Sequence, residues 1–380
     1  MMKKCPVSRK CGGCRLLDVP YSEQLLQKRK YVRDLFPGVD VRETLGMTDP
    51  YHYRHKIYCA FGYDRDQKVK AGLFEERSHR IVYTTSCLIQ HTAANRLIAD
   101  LCHYCDDLKI EPYDEDSEKG HLRYAYIRVS HKTRKILLTL VIGSKFLPNE
   151  KVMLQMIRRD HPEVETVVLN FNRGHDSMVL GQRERVLYGK GRIEDEIDGV
   201  RFSISSRSFY QVNPVQTEVL YKTALDLADI HRTDNVLDVC CGIGTISLLA
   251  ARKATFVLGV EINPRAIADA TRNADLNNID NAEFVAMDAE KFMERLGECP
   301  DIVFLDPPRS GLTESTLSSL GRLAPEKIVY ISCNPETQAR DTKFLRKFGY
   351  RIRTVVPVDQ FCFTNGVETV ALLTRSCKKR

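Results

Sequence analysis

Residues 235–253, NVLDVCCGIGTISLLAARK, decide the fold. The apolar run NVLDVC turns at CGIGT and enters the helix-like ISLLAARK, a strand–turn–helix unit. The same rhythm continues downstream. FVLGVEI, EFVAMD, DIVFLD and KIVYIS alternate with helical segments such as NPRAIADATRNADLNN and PETQARDTKFLRKFG. Such alternation builds βαβ units and a parallel sheet covered on both faces, so the fold class is α/β over about 195–380. Ligands of such sheets sit outside the carboxyl ends of the strands, which directs attention to the residues just past each apolar run.

Two zones precede it. A β-rich central zone, about 40–190, carries the strand-like runs AYIRVS, KILLTLVIG and ETVVLNF. A helix spanning EKVMLQMIRR falls between the last two, and the polar YDEDSEKG at 113–120 reads as an exposed turn. The first zone, 1–36, holds Cys5, Cys11 and Cys14 and a helix in YSEQLLQKRKYVRDLF, stopped by Pro37-Gly38. Residues 1–33 contain nine Lys or Arg against Asp18 and Glu23, which equals the whole chain's surplus of +7. A basic end on a neutral body is an electrostatic footprint for a polyanion, or else a solubilising face.

Composition excludes other classes. With 43% hydrophobic and 28% charged residues, wholesale disorder is ruled out. No apolar run approaches the roughly 20 residues of a membrane span. Thirteen cysteines, an odd number, behind an opening MMKKCPVSRKCGGC without an apolar h-region point to reduced thiols in the cytoplasm and not to a disulfide scaffold.

At the deciding turn, Gly242 and Gly244 permit close backbone approach to a nucleoside. Glu261, nineteen residues after Gly242, suits a carboxylate accepting from ribose hydroxyls. The third glycine of a dinucleotide fingerprint is replaced by Ser247, which disfavours a pyrophosphate. The run DVCCGIGT instead resembles the first motif of class I S-adenosylmethionine-dependent methyltransferases. Asp288 and Asp306 fall at strand ends around the same crevice, and Asp288 reads equally well as a helix N-cap. Cys333 follows the run IVYI and precedes a helix opened by Pro335 and Glu336, where the dipole would favour a thiolate.

DPPRSG at 306–311, SCNP at 332–335, SFYQVN at 208–213 and FTNGVET at 363–369 together resemble the RNA uracil-5-methyltransferase family. The C-x5-C-G-G-C of 5–14 and YRHK at 53–56 resemble its iron–sulfur branch that modifies 23S ribosomal RNA, in the form lacking the N-terminal TRAM domain. The resemblance implies a Rossmann-like methyltransferase domain, a smaller β-rich domain and a short iron–sulfur segment. It also implies Cys333 as the nucleophile and Glu368 as the base. Gln211, Cys240, Gly242, Glu261, Asp288 and Asp306 are the expected cofactor contacts. Cys240 stands where relatives usually carry an aromatic residue, and Phe363-Thr364 replace a usual histidine-containing stretch. Cys5, Cys11 and Cys14, joined by Cys87 of HRIVYTTSCLIQH, are the implied ligands of a [4Fe–4S] cluster, with zinc as the alternative metal. Cys102 and Cys105 share a helix face and read as packing thiols.

Methylating carbon 5 of uracil demands a base flipped out of its stack, which favours an RNA loop as partner. Lys28, Arg29 and Lys30, with Tyr51, Tyr53 and Arg54, are the expected RNA contacts. No membrane or protein partner is implied. Three competing readings remain: an amino-methyltransferase, disfavoured by Arg309 after Asp306-Pro307-Pro308; a cytosine-5-methyltransferase; and an iron–sulfur RNA-binding protein without catalysis. Transfer RNA is the alternative substrate.

Overall fold

A computed structural model describes residues 3–75, 78, 80–174 and 178–375. The deciding strand, Asn235–Val239, lies inside an eight-stranded sheet. On one side of it run Phe256–Glu261 and Ala282–Ala286; on the other, Ile302–Leu305, Lys327–Ser332, Glu368–Arg375, Tyr350–Val358 and the two-residue Asp40–Val41. Glu368–Arg375 is antiparallel to both neighbours. The five strands expected from the apolar runs are parallel to one another.

Continuous apolar runs form these strands because both faces are covered. Val236, Val257, Ile302 and Val329 pack with Leu220, Leu248 and Ala274 from helices Pro214–Ala228, Thr245–Ala251 and Pro264–Leu276. Leu237, Val303 and Ile328 face the other layer, with Val32, Met293, Leu320 and Leu345 from helices Tyr21–Leu35, Ala289–Arg295, Glu314–Leu323 and Pro335–Leu345. Helix Tyr21–Leu35 and strand Asp40–Val41, from the first zone and its boundary, thus belong to the packing of the C-terminal sheet.

The central sheet has seven strands in the order Ile81–Tyr83, Val69–Phe74, Lys56–Tyr63, Leu122–Val129, Ile136–Ile142, Val164–Phe171 and Arg183–Tyr188. Only the Ile136–Ile142 and Val164–Phe171 pair is parallel, and helix Glu150–Asp160 makes that crossover. One face buries Ile57, Cys59, Ile127 and Leu138 against helices Thr92–Leu108 and Glu150–Asp160. Cys102 and Cys105 lie in this core, as their shared helix face predicts. A hairpin, Arg192–Ile197 with Val200–Ser205, follows the central sheet. Asp198 and Gly199 both take positive φ at its tip, 47° and 78°, matching the twist of a two-residue turn. No helix among the described residues is long and apolar enough to cross a membrane.

Candidate functional site

The turn after Asn235–Val239 is built from left-handed residues. Cys240, Gly242 and Gly244 have φ of 65°, 56° and 81°. A Cβ at position 244 would lie 3.0 Å from the Phe284 ring and 3.2 Å from Ala270, so glycine is required there for both conformation and space. Cys240, with a Cβ and positive φ, holds strain of the kind that collects at functional sites. Burial and the carboxylates of Glu261 and Asp306 push its thiol up to about 12, so it meets a ligand as a neutral, weakly polar group.

Carboxylates line this crevice. Asp238 is buried and accepts from the Ser247 hydroxyl, while its other oxygen is buried without a partner. Ser247, at the position that broke the dinucleotide fingerprint, is thus the support of Asp238. Burial raises Asp238 to about 7, and burial with Asp238 as neighbour raises Asp306 to about 7. Glu261 accepts the backbone N–H of Asn263 at 2.9 Å. Carboxylates close enough to raise one another, with an orphaned oxygen among them, fit a cation bearing hydroxyl and amine donors, which S-adenosylmethionine is. Asp288 resolves toward its second reading: exposed, it caps helix Ala289–Arg295 by accepting the N–H of Lys291. It still lies within electrostatic reach of Cys240.

At the neighbouring strand end, Cys333 opens into a cleft of about 500 Å³ that Arg309, Lys28, Tyr31, Asn365 and Val367 also line. Asn334 caps helix Pro335–Leu345 and donates to the Arg309 carbonyl at 3.2 Å. The expected dipole-stabilised thiolate is not what the ligand-free site favours. Burial, Glu368 and Asp306 push the Cys333 thiol up to about 11, with Arg309 and a backbone N–H at Cys333 opposing. Glu368, 2% exposed, begins the antiparallel strand; burial and Asp306 raise it to about 8. Gln211 lies close enough to act on the buried Tyr221 hydroxyl, which feels both Asp306 and Glu368. Cys333, Glu368, Asp306 and Gln211 therefore converge from four separate segments.

Two loops bearing these groups are clamped by cations from elsewhere. Lys28, 3% exposed, pairs with Asp359 at 2.5 Å and donates to the Phe361 carbonyl at 3.1 Å. Tyr21 donates to the other Asp359 oxygen, and Gln24 accepts the Phe363 N–H. Helix Tyr21–Leu35 thus holds the 359–367 loop that leads into Glu368. Arg29 donates to the Val41 carbonyl. Lys28 and Arg29 are structural and not the free RNA-docking charges expected of the basic segment. Tyr53 is also removed from that role, being 4% exposed with its hydroxyl on the Cys362 carbonyl. Tyr51 packs its ring against Phe363 at 4.9 Å and under the Lys3 ammonium. From the central sheet, Lys56 donates to the Tyr210 carbonyl and Arg128 to those of Ser206 and Ser208. Phe209, on this gripped loop, is 61% exposed.

Cys5, Cys14 and Cys87 pack in one cluster with Leu17, Tyr53, Cys362 and Phe363. Burial and the other three thiols, Cys87, Cys11 and Cys5, push Cys14 up to about 12, so all three lie near Cys14. Among the described residues no three His, Cys, Asp or Glu side chains stand close enough to hold a single ion.

Sequence reasoning missed Asp238, Tyr221 and the Lys28–Asp359 pair. Asp238 sits within the quoted motif and was legible. Tyr221 carries no local signal, and Lys28 and Asp359 are 331 residues apart.

The family model described as tRNA (uracil-5-)-methyltransferase matches residues 20–376. An uncharacterized RNA methyltransferase of Halalkalibacterium halodurans is 41% identical over 378 residues, covering 97% of this chain and 82% of that protein. One from Clostridium tetani is also 41% identical, with the same coverage. The crystal structure of Pyrococcus abyssi tRNA (uracil-54, C5)-methyltransferase in complex with S-adenosyl-L-homocysteine matches with a TM-score of 0.80 at 30% identity, over 95% of this chain and 86% of that one.

Proposed function

The chain belongs to the tRNA (uracil-5-)-methyltransferase family of S-adenosylmethionine-dependent RNA enzymes, and from that premise we propose that it methylates carbon 5 of a uridine in 23S ribosomal RNA through a covalent bond from Cys333. The observation that carries this reading is the convergence of a half-buried thiol, a buried carboxyl of raised pKa and an amide at the carboxyl edge of one sheet.

Carbon 5 of uracil is too weak a nucleophile to take a methyl group unaided. Cys333 Sγ adds to carbon 6, which makes the ring an enolate reactive at carbon 5. Gly242, Glu261, Asp306 and Asp238 would hold S-adenosylmethionine, which would supply an electrophilic methyl to carbon 5 and leave as S-adenosylhomocysteine. Glu368 then takes the carbon 5 proton, and the Sγ–carbon 6 bond breaks to release 5-methyluridine and the thiolate. A carboxyl near 8 is a stronger base once ionised than an exposed glutamate, which suits this proton transfer. Gln211, beside Tyr221, has an amide able to donate and accept toward the uracil edge. The thiol at about 11 needs positive charge nearby to ionise; Arg309 is the resident source.

Cys5, Cys11, Cys14 and Cys87 would hold a [4Fe–4S] cluster. What supports the set is that Cys87, Cys11 and Cys5 all lie close enough to act on Cys14. Its place is structural: the Cys5–Cys14 segment packs on Phe363 and Cys362 of the loop leading to Glu368. A second reading, transfer RNA as substrate, is favoured by the likeness to the Pyrococcus abyssi enzyme. Mapping 5-methyluridine in ribosomal and transfer RNA from cells with and without the gene separates the two. Loss confined to 23S RNA is expected; loss confined to transfer RNA transfers the assignment.

A further inference from the structure

Positive charge without a counter-ion collects beside the loop that carries Gln211. Lys56 and Arg128 are direct partners on adjacent antiparallel strands, so both leave the same face of the central sheet, opposite the helices. Like charges placed opposite each other are destabilising unless something offsets them. Arg128 is 4% exposed, and its Nε is buried without a partner. Arg54, two residues before Lys56, adds a third charge close enough to act on it. Among the described residues the side-chain hydrogen bonds of two of these cations go to carbonyls: Tyr210 for Lys56, Ser206 and Ser208 for Arg128. Among the described residues no carboxylate forms an ion pair with any of them. Burial, Arg128 and Arg54 together lower Lys56 to about 7.

The surroundings say what kind of anion would settle this charge. Lys56 Nζ lies 4.8 Å from the centroid of the exposed Phe209 ring. Tyr58, next on the same face and opposite Tyr126, is 40% exposed. A cation flanked by open aromatic faces is the chemistry of a nucleotide strand, with phosphate to the charge and bases to the rings. A free small anion has no use for the rings.

We propose that Lys56, backed by Arg54 and Arg128, is a phosphodiester-binding site for the RNA strand adjoining the nucleotide held at Gln211 and Cys333. The proposal rests on the RNA-methylating reading of that site. It makes Lys56 a substrate contact, and its hydrogen bond to the Tyr210 carbonyl ties RNA binding to the position of the neighbouring Gln211.

The test uses the full-length protein and its Lys56→Gln and Lys56→Arg variants. Glutamine keeps a donor for the Tyr210 carbonyl but has no charge. Affinity for a uridine-containing loop RNA is measured between about 50 and 400 mM KCl, alongside S-adenosylhomocysteine affinity and adduct formation on 5-fluorouracil RNA. For Lys56→Gln we expect roughly tenfold weaker RNA binding at low salt and a log–log salt slope shallower by about 0.7, one single-strand phosphate contact. Lys56→Arg should keep the slope, and both variants should bind S-adenosylhomocysteine normally and form the adduct at saturating RNA. An unchanged slope in Lys56→Gln overturns the proposal, leaving only support of Tyr210. Weakened S-adenosylhomocysteine binding with an unchanged slope also overturns it, assigning the charge to the cofactor carboxylate. Failure of the unmodified protein to form any adduct would count against the catalytic reading instead.

Discussion

Replacing Glu368 with glutamine tests whether the carboxyl is held protonated by its surroundings. The group is buried beside Asp306 and titrates near 8 in the folded protein, against an ordinary value of 4.5. Between those values the unfolded chain ionises it while the folded chain keeps the proton. Each pH unit in that window therefore costs the native state about 1.4 kcal/mol. The loss begins at pH 4.5 and levels off above 8. By pH 7.5 it amounts to roughly 4 kcal/mol, against about 1.4 kcal/mol at pH 5.5. Glutamine has the same shape and no proton to lose, so Glu368→Gln should be more stable than the parent by a margin that grows with pH. At about 2 cal/mol/K of unfolding entropy per residue, the margin in Tm is about 5 °C at pH 7.5 and about 2 °C at pH 5.5. Scanning calorimetry of both proteins without cofactor or RNA measures it. An advantage that is equal at the two pH values, or absent, refutes the claim that burial and Asp306 raise this carboxyl.

Other outcomes follow from the same geometry. Cys333→Ala should abolish the covalent adduct and lower methylation by at least ~10³-fold while S-adenosylhomocysteine still binds, as measured by filter binding and calorimetry. The single-turnover rate should rise with pH from 6 to about 8.5, because Cys333 near 11 and Glu368 near 8 both gain reactive, deprotonated form in that direction; a rate that falls across this range contradicts the assignment. Gly244→Ala forces a Cβ to 3.0 Å from Phe284 at a φ of 81°, and should weaken S-adenosylhomocysteine binding by about tenfold or more in titration calorimetry. Lys28→Met leaves Asp359 buried without its cation and should cost about 3–5 kcal/mol, near 5 °C in Tm, whereas Lys30→Glu on the exposed face should be close to neutral.

Much of the catalytic sheet was legible in the chain. The five parallel strands appear as apolar runs because burial on both faces removes any need for polar alternation. Their carboxyl ends point to Cys240, Glu261, Asp306 and Cys333. Other features leave no local trace. Asp40–Val41 is too short to show a period, and its pairing partner lies more than 300 residues away. Lys28 reads like any surface lysine of a basic helix, because only the fold brings Asp359 to it. Lys28 and Arg29 of the basic segment are for that reason structural rather than free charges. Charge counting finds cations but not their partners. Positive charge without an ion pair among the described residues also sits on the central sheet at Arg54, Lys56 and Arg128, within the YRHK motif and the strand-like run AYIRVS. Cys333 shows the same limit. A following helix is visible in sequence, but the burial that raises the thiol, and the Glu368 and Asp306 carboxyls that add to it, come from segments distant in the chain.

The central claim is that Cys333 bonds carbon 6 of a uracil during methyl transfer. Incubating the protein with S-adenosylmethionine and 5-fluorouracil-substituted 23S fragments tests it directly, because fluorine at carbon 5 leaves Glu368 no proton to remove. Mass spectrometry of the digested complex should find the methylated nucleotide attached to the peptide containing Cys333. Methyl transfer without an adduct, or an adduct on any other residue, would contradict the account.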